Sequence, residues 1–234
     1  MNAGLVWYLV YGYLRSYRYF PPLLVFLIGL MLLYANRPNP VMESYAASSV
    51  LVYFVSAWIG AGFHGAVGDA QEHIAAVHAG SVRAYLAGKT LAVFACGLVL
   101  DLAALVYPVA AGSFDAPVRA GEWLTALLAH IELSALGGAL GLLLSHPIVQ
   151  KGTHATAALL LVLILSIVRD GILAEIGEGF APLFVLLPPA ATLVDGMMNP
   201  DMATGMRSAA VWAWPLAYGG ALCWLYARLA ERKM

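Results

Sequence analysis

Apolar stretches long enough to cross a lipid bilayer as helices recur along this 234-residue chain. A hydrocarbon core about 30 Å thick is crossed by about 20 helical residues. The stretches run Phe20–Ala35, Tyr45–Val67, Tyr85–Ala110, Trp123–Leu144, His154–Val168 and Ala209–Leu229. A further apolar run, FAPLFVLLPPAATLV (Phe180–Val194), holds three prolines and is too short to span, so it reads as re-entrant or interfacial. Charged residues make up 11% of the chain, where a soluble domain carries about 25%. The expected fold is an all-α membrane protein: six transmembrane helices in one domain over 1–234.

Residues 1–19 read as an interfacial helix. Trp7, Tyr8, Tyr11, Tyr13, Tyr17 and Tyr19 fall there, and such rings favour the membrane–water boundary. Pro21 and Pro22 suit the start of the first span. No secretory signal pattern is expected in this segment. Cys96 and Cys223 lie in apolar runs and read as small buried hydrophobes. A net charge of −1 offers no basic field for nucleic acid.

Six spans divide the cations unequally. One side receives Arg15, Arg18, Arg83, Lys89, Lys151, Arg228, Arg232 and Lys233; the other receives Arg37, Arg119, Arg169 and Arg207. The richer side is expected to be cytoplasmic, so both termini face the cytoplasm and 171–208 forms an extracytoplasmic or re-entrant segment.

RAYLAGKT (Arg83–Thr90) ends like a phosphate-binding loop, but Arg83 stands where the first glycine is needed. The polar run DAQEHIAAVHAG precedes it where a buried strand is needed, and the apolar TLAVFACGLVL follows where a soluble helix is needed, so no nucleotide is expected on this chain. Upstream, residues 69–82 form the one sizeable polar stretch on the cytoplasmic side. As a helix of about 21 Å it gathers Asp69, Glu72, His73 and Arg83 on one side, with Ala70, Ile74, Val77 and Ser81 on another. A charged face along the membrane suits a partner; the alternative is a solvated loop helix.

The text QEHIAAVHAGSVRAYLAGKTLAVF resembles the segment after the second span of ABC-2 type permeases, the membrane subunits of bacterial ABC transporters. Glu72, Tyr85, Gly88 and Lys89 stand at the family's glutamate and aromatic-x-x-Gly-Lys positions, and Ala79-Gly80 departs from its frequent proline-containing turn. The resemblance implies an exporter permease in the cytoplasmic membrane. It also implies a cytoplasmic ATPase subunit, carrying ATP and Mg, that contacts Asp69, Glu72, His73 and Arg83. A second permease copy or homologue, an amphiphilic cargo and a Lys89 anchored toward the headgroups follow likewise. No catalytic residue, cofactor or metal is expected on this chain.

Ionisable groups within spans suggest function by default. Asp101, His130, Glu132, Arg169 and Asp170 fall in the outer halves of three spans. They read either as a vestibule on the substrate path or as an intramembrane network in which Arg169 neutralises Glu132 or Asp101. Gly137 and Gly141 make a GxxxG, and Gly62, Gly65 and Gly68 line the end of the second span; such spacings suit helix contacts, including dimerisation. A haem or metal-dependent membrane enzyme is the first rival: the His64–His78 spacing can put two ligands on one helix, but Asp69, Gln71, Glu72 and His73 would then lie in the bilayer, and His130 and His146 fall about 160° apart around the fourth span. No protease motif is present, and the remaining rival is a carrier or scaffold not driven by ATP.

Overall fold

A computed structural model of the protein describes residues 3–145, 152–177, 179, 181–199 and 206–233, the side chains of 69 and 206–210 excepted. His146, Lys151, Phe180 and the side chains of Asp69 and Arg207, which enter the sequence reading, lie outside what is described. The helices are α1 (Ala3–Arg15), α2 (Phe20–Leu33), α3 (Val41–Gly62), α4 (Asp69–His78), α5 (Val82–Ala110), α6 (Ala120–Leu143), α7 (Gly152–Ile176), α8 (Ala181–Phe184), α9 (Ala190–Met198) and α10 (Met206–Glu231). Among the described residues no strand forms, and Asn39 and Phe114 make an isolated backbone bridge.

Among the described residues, α3, α5, α6 and α7 are long and apolar enough to cross a membrane. The pair α1 and α2, bent by 83°, makes up to a fifth span. Where six spans are expected, four or five therefore meet both requirements. Alone, the 14 residues of α2 reach about 21 Å, short of the hydrocarbon thickness. Helix α10 has the length, at 26 residues, but Trp, Tyr, Gly and Pro dilute its apolarity.

Local chemistry explains the boundaries. Pro21 and Pro22 occupy the first turn of α2, where missing N–H groups leave no helical bond unmade. Helix α4 stops at His78 rather than running on to 82. Gly80 takes φ +83°, and the Ser81 hydroxyl accepts from Ala84 N–H at 3.1 Å to start a new helix. Arg83 consequently belongs to α5. Helix α7 outruns the expected His154–Val168 at both ends, so Arg169 and Asp170 lie inside it.

At the centre α3 and α6 run parallel: Ser48 meets His130 and, further along, Gly137 and Gly141 meet the Tyr53 and Ala57 carbonyls. A methyl group on either glycine would run into those oxygens, and one on Gly60 would meet the Gly138 carbonyl. Helix α5 lies antiparallel against both, Val93 beside Gly138 and Asp101 beside Ser134. Lipid gives no hydrophobic drive to helix association, so close packing and interhelical bonds, averaging about 0.6 kcal/mol each, hold such a bundle. The GxxxG thus serves an interface within the chain rather than a dimer contact. On the periphery, α2 and α7 expose Leu27, Ile28, Met31, Leu160, Leu161 and Ile164.

Candidate functional site

Two polar regions occupy opposite reaches of α5. At its N-terminal end Lys89 is 2% exposed, and its Nζ donates to Glu72 Oε1 of α4 at 2.8 Å. The ammonium lies 5.7 Å from the centre of the buried Tyr85 ring, where ring and carboxylate together replace part of its water. Lys89 is thus held inside the protein, not reaching for headgroups. Glu72 leaves the expected charged face of α4 and turns inward with Ala75 and Ala76. The outward face carries Gln71, His73 and His78 together with Ile74 (58% exposed) and Val77 (79% exposed). The expected apolar side is therefore the uncovered one, because the buried ion pair fixes the rotation of α4. Arg83 donates through Nε to Glu231 of α10 at 2.9 Å, so its charge is spent within the chain.

Towards the other end, α3, α5 and α6 enclose a polar seam. Asp101 is 0% exposed; its Oδ2 accepts from Ser134 Oγ at 2.7 Å, and its Oδ1 has no hydrogen-bond partner. One turn back along α6, His130 is equally buried. Its Nδ1 donates to the Ala126 carbonyl at 2.7 Å and its Nε2 lies 3.0 Å from Ser48 Oγ. With both ring nitrogens engaged, His130 as placed offers neither to a metal. Tyr45 closes the seam, its hydroxyl donating to the Leu105 carbonyl at 3.1 Å. Glu132 is buried with Oε2 unpartnered, but 200° around α6 from His130 it points away from the seam.

Arg169 goes elsewhere. Its Nε donates to Asp170 Oδ1 at 2.9 Å and its Nη2 to Thr192 Oγ1 of α9 at 3.4 Å. Neither Asp101 nor Glu132 receives it. Asp195, also on α9, has its carboxyl pushed above the usual range by burial and by the Asp170 carboxylate, against a smaller lowering by Arg169. The five expected groups thus divide: Asp101 and His130 in the seam, Glu132 across α6, Arg169 and Asp170 against α9.

The residues that complete these sites were the hydroxyls: Ser48, Ser134 and Thr192, with the carboxylates Asp195 and Glu231. A serine one turn from His130 was the available signal for Ser134. A groove of about 510 Å³ opens between α2, α3 and α7, lined by Val25, Phe54, Trp58, Thr156, Leu160 and Leu163. Comparison with protein-family models, curated proteins and solved structures finds no match to this chain.

Proposed function

We propose that this chain is the membrane permease subunit of an ATP-driven exporter of the ABC-2 type. The observation that carries the reading is α4: a short polar helix between two membrane-length helices, locked to one by a buried ion pair, with Ile74 and Val77 uncovered. Isolated large apolar side chains on a polar helix suit a protein partner, here an ATPase subunit bearing ATP and Mg. The groove lined by Phe54 and Trp58 suits lateral entry of an amphiphile such as a peptide, lipid or drug. A pathway between two halves needs a second copy or a homologue. Six passes, with α2 and α10 as the outer two, keep both termini and α4 on the cytoplasmic side, in keeping with the cation distribution. A carrier not driven by ATP is the second reading, favoured by the uncompensated Asp101 carboxyl.

The test is a gentle purification from native membranes through a C-terminal tag, with and without a non-hydrolysable ATP analogue. A stoichiometric ATPase subunit is expected, lost in the Ile74→Glu, Val77→Glu double variant while folding and insertion persist. Reversing Glu72 and Arg83 is the poorer probe, since both bond within the chain. Purification of the chain alone, or with a bound chromophore, overturns the reading.

A further inference from the structure

The seam between α3, α5 and α6 holds acid–base groups that α4 and the groove leave unused. Asp101 is fully buried and one of its oxygens is unpartnered. Among the described residues the ion pairs are Arg83–Glu231, Lys89–Glu72 and Arg169–Asp170, and none involves Asp101. The space beside it is shaped by Gly97, one turn earlier on α5. A Cβ there would stand 3.2 Å from Ser134 Oγ and 3.7 Å from Ser56 Oγ, and that second hydroxyl is itself buried without a partner. A carboxylate without a counter-charge in such surroundings is far costlier than the neutral acid, and the group takes up a proton instead.

We propose that Asp101 is a proton-binding site within the bundle, carrying its proton on Oδ1 while Oδ2 remains the acceptor of the Ser134 hydroxyl. His130, one turn before Ser134 on the same face of α6, is the second protonatable group of the seam. When the Asp101 O–H bond breaks and an N–H bond forms on His130, carboxylate and imidazolium appear together and the seam stays neutral. The hydrogen-bond partners of His130 can be satisfied in either form. In the neutral ring Nδ1–H donates to Ala126, and the bare Nε2 accepts from Ser48. In the imidazolium Nε2–H donates to Ser48 Oγ, whose own proton turns to the Tyr45 carbonyl, 3.1 Å away.

Several of the other titratable groups on the packed elements are engaged elsewhere, and the unpartnered Tyr85 hydroxyl lies more than four turns from Asp101 along α5. On α3 the Tyr45 and Tyr53 hydroxyls bond to the Leu105 carbonyl and to Ser166 Oγ. On α6 Glu132 points away, and on α5 itself Lys89 is held by Glu72 three turns off. The inference stands on this geometry and not on the ATPase partner, so loss of one leaves the other untouched.

Infrared difference spectroscopy of the purified protein in lipid, titrated with acid and base, reads the site directly. The wild type is expected to show the carbonyl stretch of a protonated carboxylic acid at neutral pH, absent from Asp101→Asn and retained in Glu132→Gln. Ser134→Ala should raise the frequency of that band by removing its hydrogen bond, which tests the assignment even if Asp101→Asn fails to fold. A band missing at neutral pH, unchanged in Asp101→Asn, or displaced by sodium at constant pH overturns the proposal.

Discussion

Lys89 shows how one side chain can set the rotation of a neighbouring helix. Removing one partner of a buried ion pair strands the other charge, at a cost of about 3–5 kcal/mol. Lys89→Ala is therefore expected to lower the thermal unfolding temperature in detergent sharply. The double replacement Lys89→Met, Glu72→Leu should recover most of the loss, and failure to recover would refute the pairing as the cause. Asp195 gives a second prediction at this scale. Its folded-state pKa lies above the unfolded value, so the folded state binds more protons and stability falls as pH rises through the folded pKa. Unfolding temperature measured against pH should show this decline in the wild type and not in Asp195→Asn. The first of these features was partly legible in the sequence, whereas Asp195 was not. Lys89 stood out as a charge at the edge of an apolar run and Glu72 on the charged face of the polar stretch before it, but helical periodicity fixes only relative angles. Which side of α4 turned inward depended on Lys89, 17 positions away.

Among the elements, the α3–α6 contact is the most demanding. Gly141→Ala places a methyl group against the Ala57 carbonyl and the Ala61 N–H, so one helix must move away. Overpacking of this kind costs about 1–3 kcal/mol. Gly171→Ala, on α7 with open space around it, should be neutral or slightly stabilising, since alanine favours helix by about 1 kcal/mol over glycine. Comparing the two unfolding temperatures separates a steric seam from a general intolerance of the bundle. The GxxxG spacing was visible in the sequence, but its partner was not. Small-residue faces carry no address, and the α3 residues opposite lie more than 80 positions earlier in the chain. The ends of α4 and α7 were misjudged for related reasons: a left-handed glycine splits one helix, and charges within the last turns do not end another.

For the whole molecule, length and hydropathy made the membrane class legible, but not the number of crossings. Helix α2 is short, α1 turns from it by 83°, and α10 is rich in Trp, Tyr, Gly and Pro, so the count depends on how these three meet lipid. Single cysteines placed at residues 3 and 233, in a chain with Cys96 and Cys223 replaced by alanine, test it. Labelling by a membrane-impermeant maleimide should reach both ends from the cytoplasmic side and neither from the other. Reaction of the two ends from opposite faces would require an odd number of crossings. The candidate sites were half legible: the ionisable groups within the expected spans announced themselves, whereas Asp195, Glu231 and the hydroxyls, which are common in apolar helices, carried no mark.

The carbonyl-to-glycine contacts between α3 and α6 have a mechanical consequence. Backbones this close cannot shear past one another without collision, so the two helices form a keel that must move as one body. Rearrangement during any working cycle then falls to the loosely seated outer helices, α2 and α7, and the groove between them widens or narrows against a fixed wall.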